Sequence, residues 1–196
     1  MNCVVPLRSL KPSAMKIKKN PYLLVAIIAL LLSFTNCSST ANKLNVKPIQ
    51  NFDLKRYVGA WYEIARFPHR FERNLVGVTA TYNLLANGKI EVINRGFMHS
   101  LNGPVKTAIG KAKPAGNDGA GHLRVSFFWI FYTDYLILEL DEQNYQYSLV
   151  GSSSPNYLWI LSRTPQMDSV QLNKLINKAK DLGYDISKLE MVEQPM

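Results

Sequence analysis

Between residues 60 and 163 the sequence repeats one pattern eight times: a short run with β-branched or aromatic side chains at alternate positions, followed by a turn. The runs span 60–67, 76–85, 89–97, 105–113, 122–128, 135–141, 145–151 and 157–163. A period of two sends successive side chains to opposite faces, so each run reads as a half-buried β-strand. Asn87-Gly88 joins the second and third runs with the strongest short hairpin signal, because both residues accept the positive φ of a type I′ turn. Gly116-Asn117-Asp118-Gly119 and Ser152-Ser153-Ser154-Pro155 supply further turns. No helical period interrupts the series. Eight consecutive strands suit an up-and-down barrel or a sandwich, and consecutive hairpins close a barrel without the long crossovers of a Greek key.

One helix is expected after the last strand. Thr164 would cap it, with Pro165 in the first helical position. Val170, Leu175, Ile176, Ala179 and Leu182 form its apolar stripe, and Gly183 stops it. The segment 189–192 could add an edge strand.

The N-terminal stretch reads as an address. Lys16, Lys18 and Lys19 precede an apolar run from Leu23 to Leu32, which ends in Ser33-Phe34-Thr35-Asn36-Cys37. A positive segment, a short apolar segment and small or polar residues make a secretory signal over 1–36. Ten to twelve apolar residues are too few to span a bilayer, which needs about 20. Cys37, directly after the apolar run, resembles the lipidated first residue of bacterial lipoproteins, although Phe34 and Asn36 depart from the usual pattern; a plain secretory peptide with an incidental thiol is the alternative. Met15 opens a more ordinary signal than Met1, so residues 1–14 are read as an upstream-start artefact.

Removing 1–36 leaves 160 residues, enough for one domain with a sizeable core. Five of the 23 basic residues leave with the signal and none of the 14 acidic ones, so 18 basic face 14 acidic residues, a net +4. Most of the excess that would suggest nucleic acid therefore belongs to export, and no nucleic-acid partner is expected. Cys3 also leaves, which rules out an internal disulfide. Residues 37–50 are short and polar and read as a tether, holding a domain over 51–196 about 20 Å from its anchor.

Catalytic and metal motifs are missing. His69, His99 and His122 lie apart, with no second ligand at helical or strand spacing. There is no nucleophile elbow, phosphate loop or glycine-rich dinucleotide turn. No cofactor and no metal are expected.

The run Lys55-Arg56-Tyr57-Val58-Gly59-Ala60-Trp61-Tyr62-Glu63-Ile64-Ala65-Arg66 passes from a basic turn through glycine into an aromatic strand. About a hundred residues later comes Leu158-Trp159-Ile160-Leu161-Ser162-Arg163-Thr164-Pro165. Together they resemble the lipocalin family, in its bacterial, apolipoprotein D-like branch. The resemblance covers Asn51 onwards and implies an eight-stranded antiparallel up-and-down β-barrel with one C-terminal α-helix on its outside. It implies a non-enzymatic carrier of one amphipathic lipid, a fatty acid or lysophospholipid, lipid-anchored to the outer membrane and facing the periplasm. It also assigns the closed end: Gly59 and Trp61, with Arg163 stacked across the indole. Thr133-Asp134-Tyr135 looks like a family motif but falls one strand too early; aligned through the last strand, the turn role passes to Asp141.

Strand parity nominates the ligand contacts. Trp61, Glu63 and Ala65 share one face of the first strand, as do Tyr157, Trp159, Leu161 and Arg163 on the last. Val78, Ala80 and Tyr82, and Ile90, Val92 and Asn94, point inward from the second and third. Asn94 is a candidate hydrogen-bonding partner for a ligand, or else a solvated strand residue. Glu63 must be paired or protonated if buried, or face water at the barrel base. Arg70 and Arg73, in the first open-end loop, could hold a phosphate or carboxylate. Six bulky residues in a row, 127–132, exceed what alternation can bury, so Trp129 and Phe131 are expected at the rim as a lipid portal or a homodimer contact. Two alternatives stand beside the carrier: an isomerase or ester hydrolase using Glu63 or a histidine, and an envelope scaffold with a filled barrel.

Overall fold

Strand β1 (Gly59–Arg66) is entered from a single helical turn, α1 (Leu54–Tyr57), whose N-cap Asp53 accepts a hydrogen bond from the Lys55 amide at 2.8 Å. Seven further strands follow: β2 (Leu75–Leu84), β3 (Ile90–Met98), β4 (Val105–Pro114), β5 (His122–Phe128), β6 (Phe131–Leu140), β7 (Tyr147–Gly151) and β8 (Leu158–Ser162). The long helix α2 (Ser169–Asp181), a 3-10 turn (Ile186–Lys188) and a short strand β9 (Glu190–Met191) complete the chain. The computed structural model describes residues 43–115, 120–128 and 131–196. The export segment, Cys37, the turn at 116–119, Trp129 and Ile130 lie outside the described residues.

Each of the eight strands pairs antiparallel with the next, and β1 pairs with both β8 and β2. The sheet is therefore closed: an eight-stranded up-and-down barrel with one long C-terminal helix. Two strand starts differ from the sequence reading by more than one residue. β6 begins at Phe131, because Phe131 still pairs with Phe128 across the turn. β7 begins at Tyr147, because Tyr145 takes a left-handed φ of 56° and belongs to the preceding turn.

The cap of α2 is also corrected. Asp168 rather than Thr164 accepts the first amides, from Val170 at 2.9 Å and Gln171 at 3.2 Å. The helix thus starts four residues later, and the stripe is Leu172, Leu175, Ile176, Ala179 and Leu182. Val170, expected in that stripe, is 76% exposed, because it lies about 140° round the helix from Leu175. Gly183 ends the helix at φ 91°, with the Gly183 amide on the Lys180 carbonyl and the Tyr184 amide on the Ala179 carbonyl. Leu175 and Ala179 are fully buried against Ile64, Leu149, Leu158 and Ile160, on the outer face of the wall. A second apolar cluster fills the barrel interior.

Two bulges change which side chains face that interior. In β1, Glu63 pairs with Leu161 but Ala65 pairs with Ile160 and Arg66 with Trp159. The extra residue turns Ala65 outward, into the cluster under α2, and Arg66 inward. Ala65 therefore does not share the face of Trp61 and Glu63 as simple alternation predicts. In β2 the register shifts between Val76 and Thr79, around Gly77 at φ 56°.

Pairing of β1 with β2 is confined to Gly59–Tyr62. Beyond it the C-terminal segment joins the two strands. β9 pairs with Ala65 and Arg66, the Val192 amide donates to the Ile64 carbonyl, and the Gly77 amide donates to the Glu193 carbonyl. The Gln194 side-chain amide donates to the carbonyls of Glu63 (2.7 Å) and Val78 (2.9 Å).

Candidate ligand-binding site in the barrel

Trp61 closes one end. It is fully buried, donates from Nε1 to the Tyr57 carbonyl, and carries the Arg163 guanidinium 3.8 Å above its ring. That guanidinium also donates to the carbonyls of Arg56, Tyr57, Val58, Ala60 and Tyr145. A stacked cation of this kind contributes ~1–2 kcal/mol when shielded from water. Gly59 makes room at φ 96°, a conformation side-chain-bearing residues avoid. Asp141 organises the neighbouring turn, its carboxylate accepting from the amides of Gln143, Asn144 and Gln146.

Three phenols converge just inside. Tyr135 Oη lies 2.8 Å from Tyr57 Oη and 2.7 Å from Tyr82 Oη. Burial pushes the Tyr57 phenol up to about 12, and the other two well above their ordinary value. Tyr135 comes from the Thr133-Asp134-Tyr135 tripeptide, which here lies within β6.

The inward parity of Ala80, Tyr82, Ile90 and Val92 agrees with the register, Val78 falls within the β2 register shift, and all five are 5% exposed or less. They are packed against protein atoms and line no open space. Accessible inward positions lie elsewhere. Ala108 pairs with Asn94, which pairs with the core residue Ala80, so all three share the inner face; Asn94 is half-buried and Ala108 is exposed. Thr133, paired with the core residue Val125, is exposed as well. The lower barrel is thus a filled floor, and above it inward positions are accessible. Asn94 Oδ1 is buried without a hydrogen-bond partner.

A charged cluster sits in the wall above Trp61. Arg66 Nη1 binds Glu63 Oε2 at 2.9 Å, and Nη2 donates to the carbonyls of Glu72 and Leu75. Arg66 Nε lies 3.9 Å from the Glu72 carboxyl, which also accepts from Trp159 Nε1 at 3.4 Å. Glu63, Arg66 and Glu72 are all buried. Glu63 therefore faces no water, and Arg66 pairs it. Burial, reinforced by the Glu63 charge, raises Glu72 to about 9, while burial outweighs Arg66 in raising Glu63. The Arg66 guanidinium lies nearer Glu63 than Glu72.

His69 completes the mouth, stacked between Phe71 (5.1 Å) and Tyr157 (4.9 Å) and tilted against Trp159 (4.9 Å). Burial, with the Arg66 charge, lowers its pKa to about 4. Arg70 and Arg73 are exposed in the same loop. Phe128 and Phe131 are each 75% exposed at the open end. Tyr132 lies beneath Lys111, Lys113 and Arg124, on the outer face of the wall.

Alternation along the sequence could not supply Arg66 and Glu72. Arg66 has the wrong parity until the bulge shifts it, and Glu72 comes from a loop. The one available signal was Glu63, an inward acid that had to find a cation nearby.

Residues 52–194 match the lipocalin-like domain family. The chain is 44% identical over 150 residues to the outer membrane lipoprotein Blc of Vibrio cholerae, covering 76% of this chain and 87% of that protein. It is 42% identical over 172 residues to the outer membrane lipoprotein Blc of Escherichia coli K12, covering 88% and 96%. Among solved structures, insecticyanin of the tobacco hornworm superposes with a TM-score of 0.62 at 22% identity, over 77% of this chain and 85% of that one, a likeness of fold. With the closed barrel, the Trp61–Arg163 stack and a family match over most of the sequence, the chain belongs to the lipocalin family.

Proposed function

We propose that this chain is a membrane-tethered carrier of one elongated, single-chain amphipathic lipid, such as a fatty acid or lysophospholipid. The tail enters the barrel above the phenol floor and the head stays near the mouth. The observation that carries this reading is the exposure of Ala108 and Thr133, which point inward yet remain accessible. An eight-stranded barrel is wide enough for one small ligand. Each methylene removed from water contributes ~0.8 kcal/mol, so about a dozen support micromolar affinity after association costs.

Anchoring is through Cys37 as the lipidated first residue after a 1–36 signal, with the domain facing the periplasm, and the names of the bacterial relatives support an outer-membrane placement. The exposed Phe128 and Phe131 support contact of the open rim with the headgroup region, where aromatic rings are favoured. A catalytic role for Glu63 is not favoured, since Arg66 occupies its carboxylate.

The test is to fill the accessible lumen. Ala108→Trp should weaken a fluorescent single-chain amphiphile at least tenfold in titration while leaving circular dichroism unchanged. Ile109→Trp, on the outer face of the same strand, should leave affinity within twofold. Equal affinity in wild type and Ala108→Trp would place the ligand elsewhere and contradict the reading.

A further inference from the structure

From Leu44 to Ile49 the chain lies along the outside of the barrel. Leu44 and Val46 pack into the apolar cluster under α2 and Ile49 packs against the interior cluster, while Asn45 and Lys47 face solvent. Backbone hydrogen bonds fix both ends of this run. The Ile49 amide donates to the Ile137 carbonyl at 2.9 Å, and the Ile49 carbonyl accepts from the Gly121 amide at 2.8 Å. The Leu44 amide donates to the Ser153 carbonyl at 2.7 Å. Gly121 directly precedes β5, which rises from the closed end as β1 does. Ser153 lies in the β7–β8 turn at the mouth, where Tyr157 stacks on His69. Followed back from Asp53, the chain therefore climbs from the closed end and passes the mouth at Leu44. Seven residue steps separate Leu44 from Cys37, at most about 25 Å of extended chain.

The open end has the side chains of a bilayer-facing surface. Arg70 and Arg73 are exposed there on either side of the exposed Phe71, and Glu72, the acid of the same loop, is buried. Phe128 and Phe131 project where β5 meets β6, and Lys106 is exposed near the start of β4. Aromatic rings are favoured at headgroup depth, and guanidinium and ammonium groups are drawn to anionic lipid phosphates.

Granted the carrier reading and its Cys37 anchor, we infer that residues 44–49 are a strap that brings the anchored chain out beside the mouth, so that the open end docks on the anionic headgroups of the bilayer that holds the anchor. Lipid then passes between the barrel and its own membrane without crossing water. A chain leaving the barrel at Asp53 would hold the closed end towards the bilayer instead, with the mouth turned away.

The test uses lipidated protein in vesicles of phosphatidylethanolamine and phosphatidylglycerol, three to one, with nitroxide on the headgroups. One dye is attached at a time, at Asn102→Cys in the open-end β3–β4 turn or at Asn87→Cys in the closed-end β2–β3 turn. Quenching at position 102 should exceed that at position 87 at least threefold. A thirty-residue Gly/Ser insertion after Thr40, which leaves the barrel untouched, should cut this ratio at least twofold. Leu44→Asp combined with Ile49→Asp should do the same with circular dichroism unchanged, as should vesicles of phosphatidylcholine alone. Equal quenching at the two positions, or stronger quenching at 87, overturns the inference; if ultracentrifugation then shows a dimer, the rim belongs to a second copy. A ratio that survives the insertion or the loss of anionic lipid overturns it too. Protein recovered without an acyl group on Cys37 removes the anchor on which the inference rests, and mass spectrometry shows that failure before any quenching is measured.

Discussion

At the level of single side chains, the barrel holds two arginines that are each tied to several protein acceptors, one at the floor and one in the wall. Arg163 ties α1, β1 and the β6–β7 turn together through backbone carbonyls while stacking on Trp61. Arg66 ties β1 to the loop that carries Glu72, and this pairing makes stability depend on pH. Glu72 binds a proton on folding that the unfolded chain releases near its ordinary value of 4.5. The stability it contributes is present below 4.5 and is lost as pH rises towards about 9. His69 has the opposite sign. Its pKa falls from 6.5 to about 4, so its contribution is present above 6.5 and is lost as pH drops towards 4. Of these two groups, Glu72 is the one that acts between pH 7 and 9. Over that window the melting temperature of wild type should fall with rising pH, whereas Glu72→Gln should flatten the slope. A parallel fall in both proteins would remove Glu72 as its source.

Among the elements, the β1–β2 seam is the least conventional, because the C-terminal segment rather than direct pairing closes its upper half. Four hydrogen bonds hold it, three donated by Val192 and Gln194 and one accepted by the Glu193 carbonyl. At about 1 kcal/mol net for each, deleting residues 192–196 should cost about 4 kcal/mol in urea unfolding, with the barrel still formed. A loss below about 1 kcal/mol would mean that the seam closes without the segment. The strands themselves were legible in the sequence because alternation, Asn87-Gly88 and the polar turns all point to the same pairing. The β1 bulge was not, since nothing about Ile64 or Ala65 distinguishes a two-for-one register from a regular ladder. That one residue decided which of Ala65 and Arg66 entered the barrel, and with it the charged cluster. The start of α2 was misplaced for a local reason: Thr164-Pro165 is a good cap by composition, but the Thr164 hydroxyl donates to the Gln166 carbonyl and Asp168 takes the helix amides.

Across the whole molecule, the barrel is sealed below and accessible above. Trp61, Arg163 and the Tyr57–Tyr135–Tyr82 phenols fill the lower end, and Ile90 and Val92 pack onto them. Parity alone named Val78, Ala80, Tyr82, Ile90 and Val92 as inward, but could not say how far the filling reached. That depends on aromatic side chains meeting across the barrel from strands distant in sequence. Asn94 stood out in the sequence as the polar residue in an apolar face, and it sits between the buried Ala80 and the exposed Ala108. The central claim is that one lipid occupies this upper space in a chain anchored at Cys37. Native mass spectrometry of the protein taken from its own membrane with mild detergent addresses it directly. The expected species is a polypeptide that begins at an acylated Cys37 and carries one non-covalent single-chain lipid, which Ala108→Trp fails to retain. A wild-type chain that carries no lipid, or lipid retained equally by Ala108→Trp, would contradict the account.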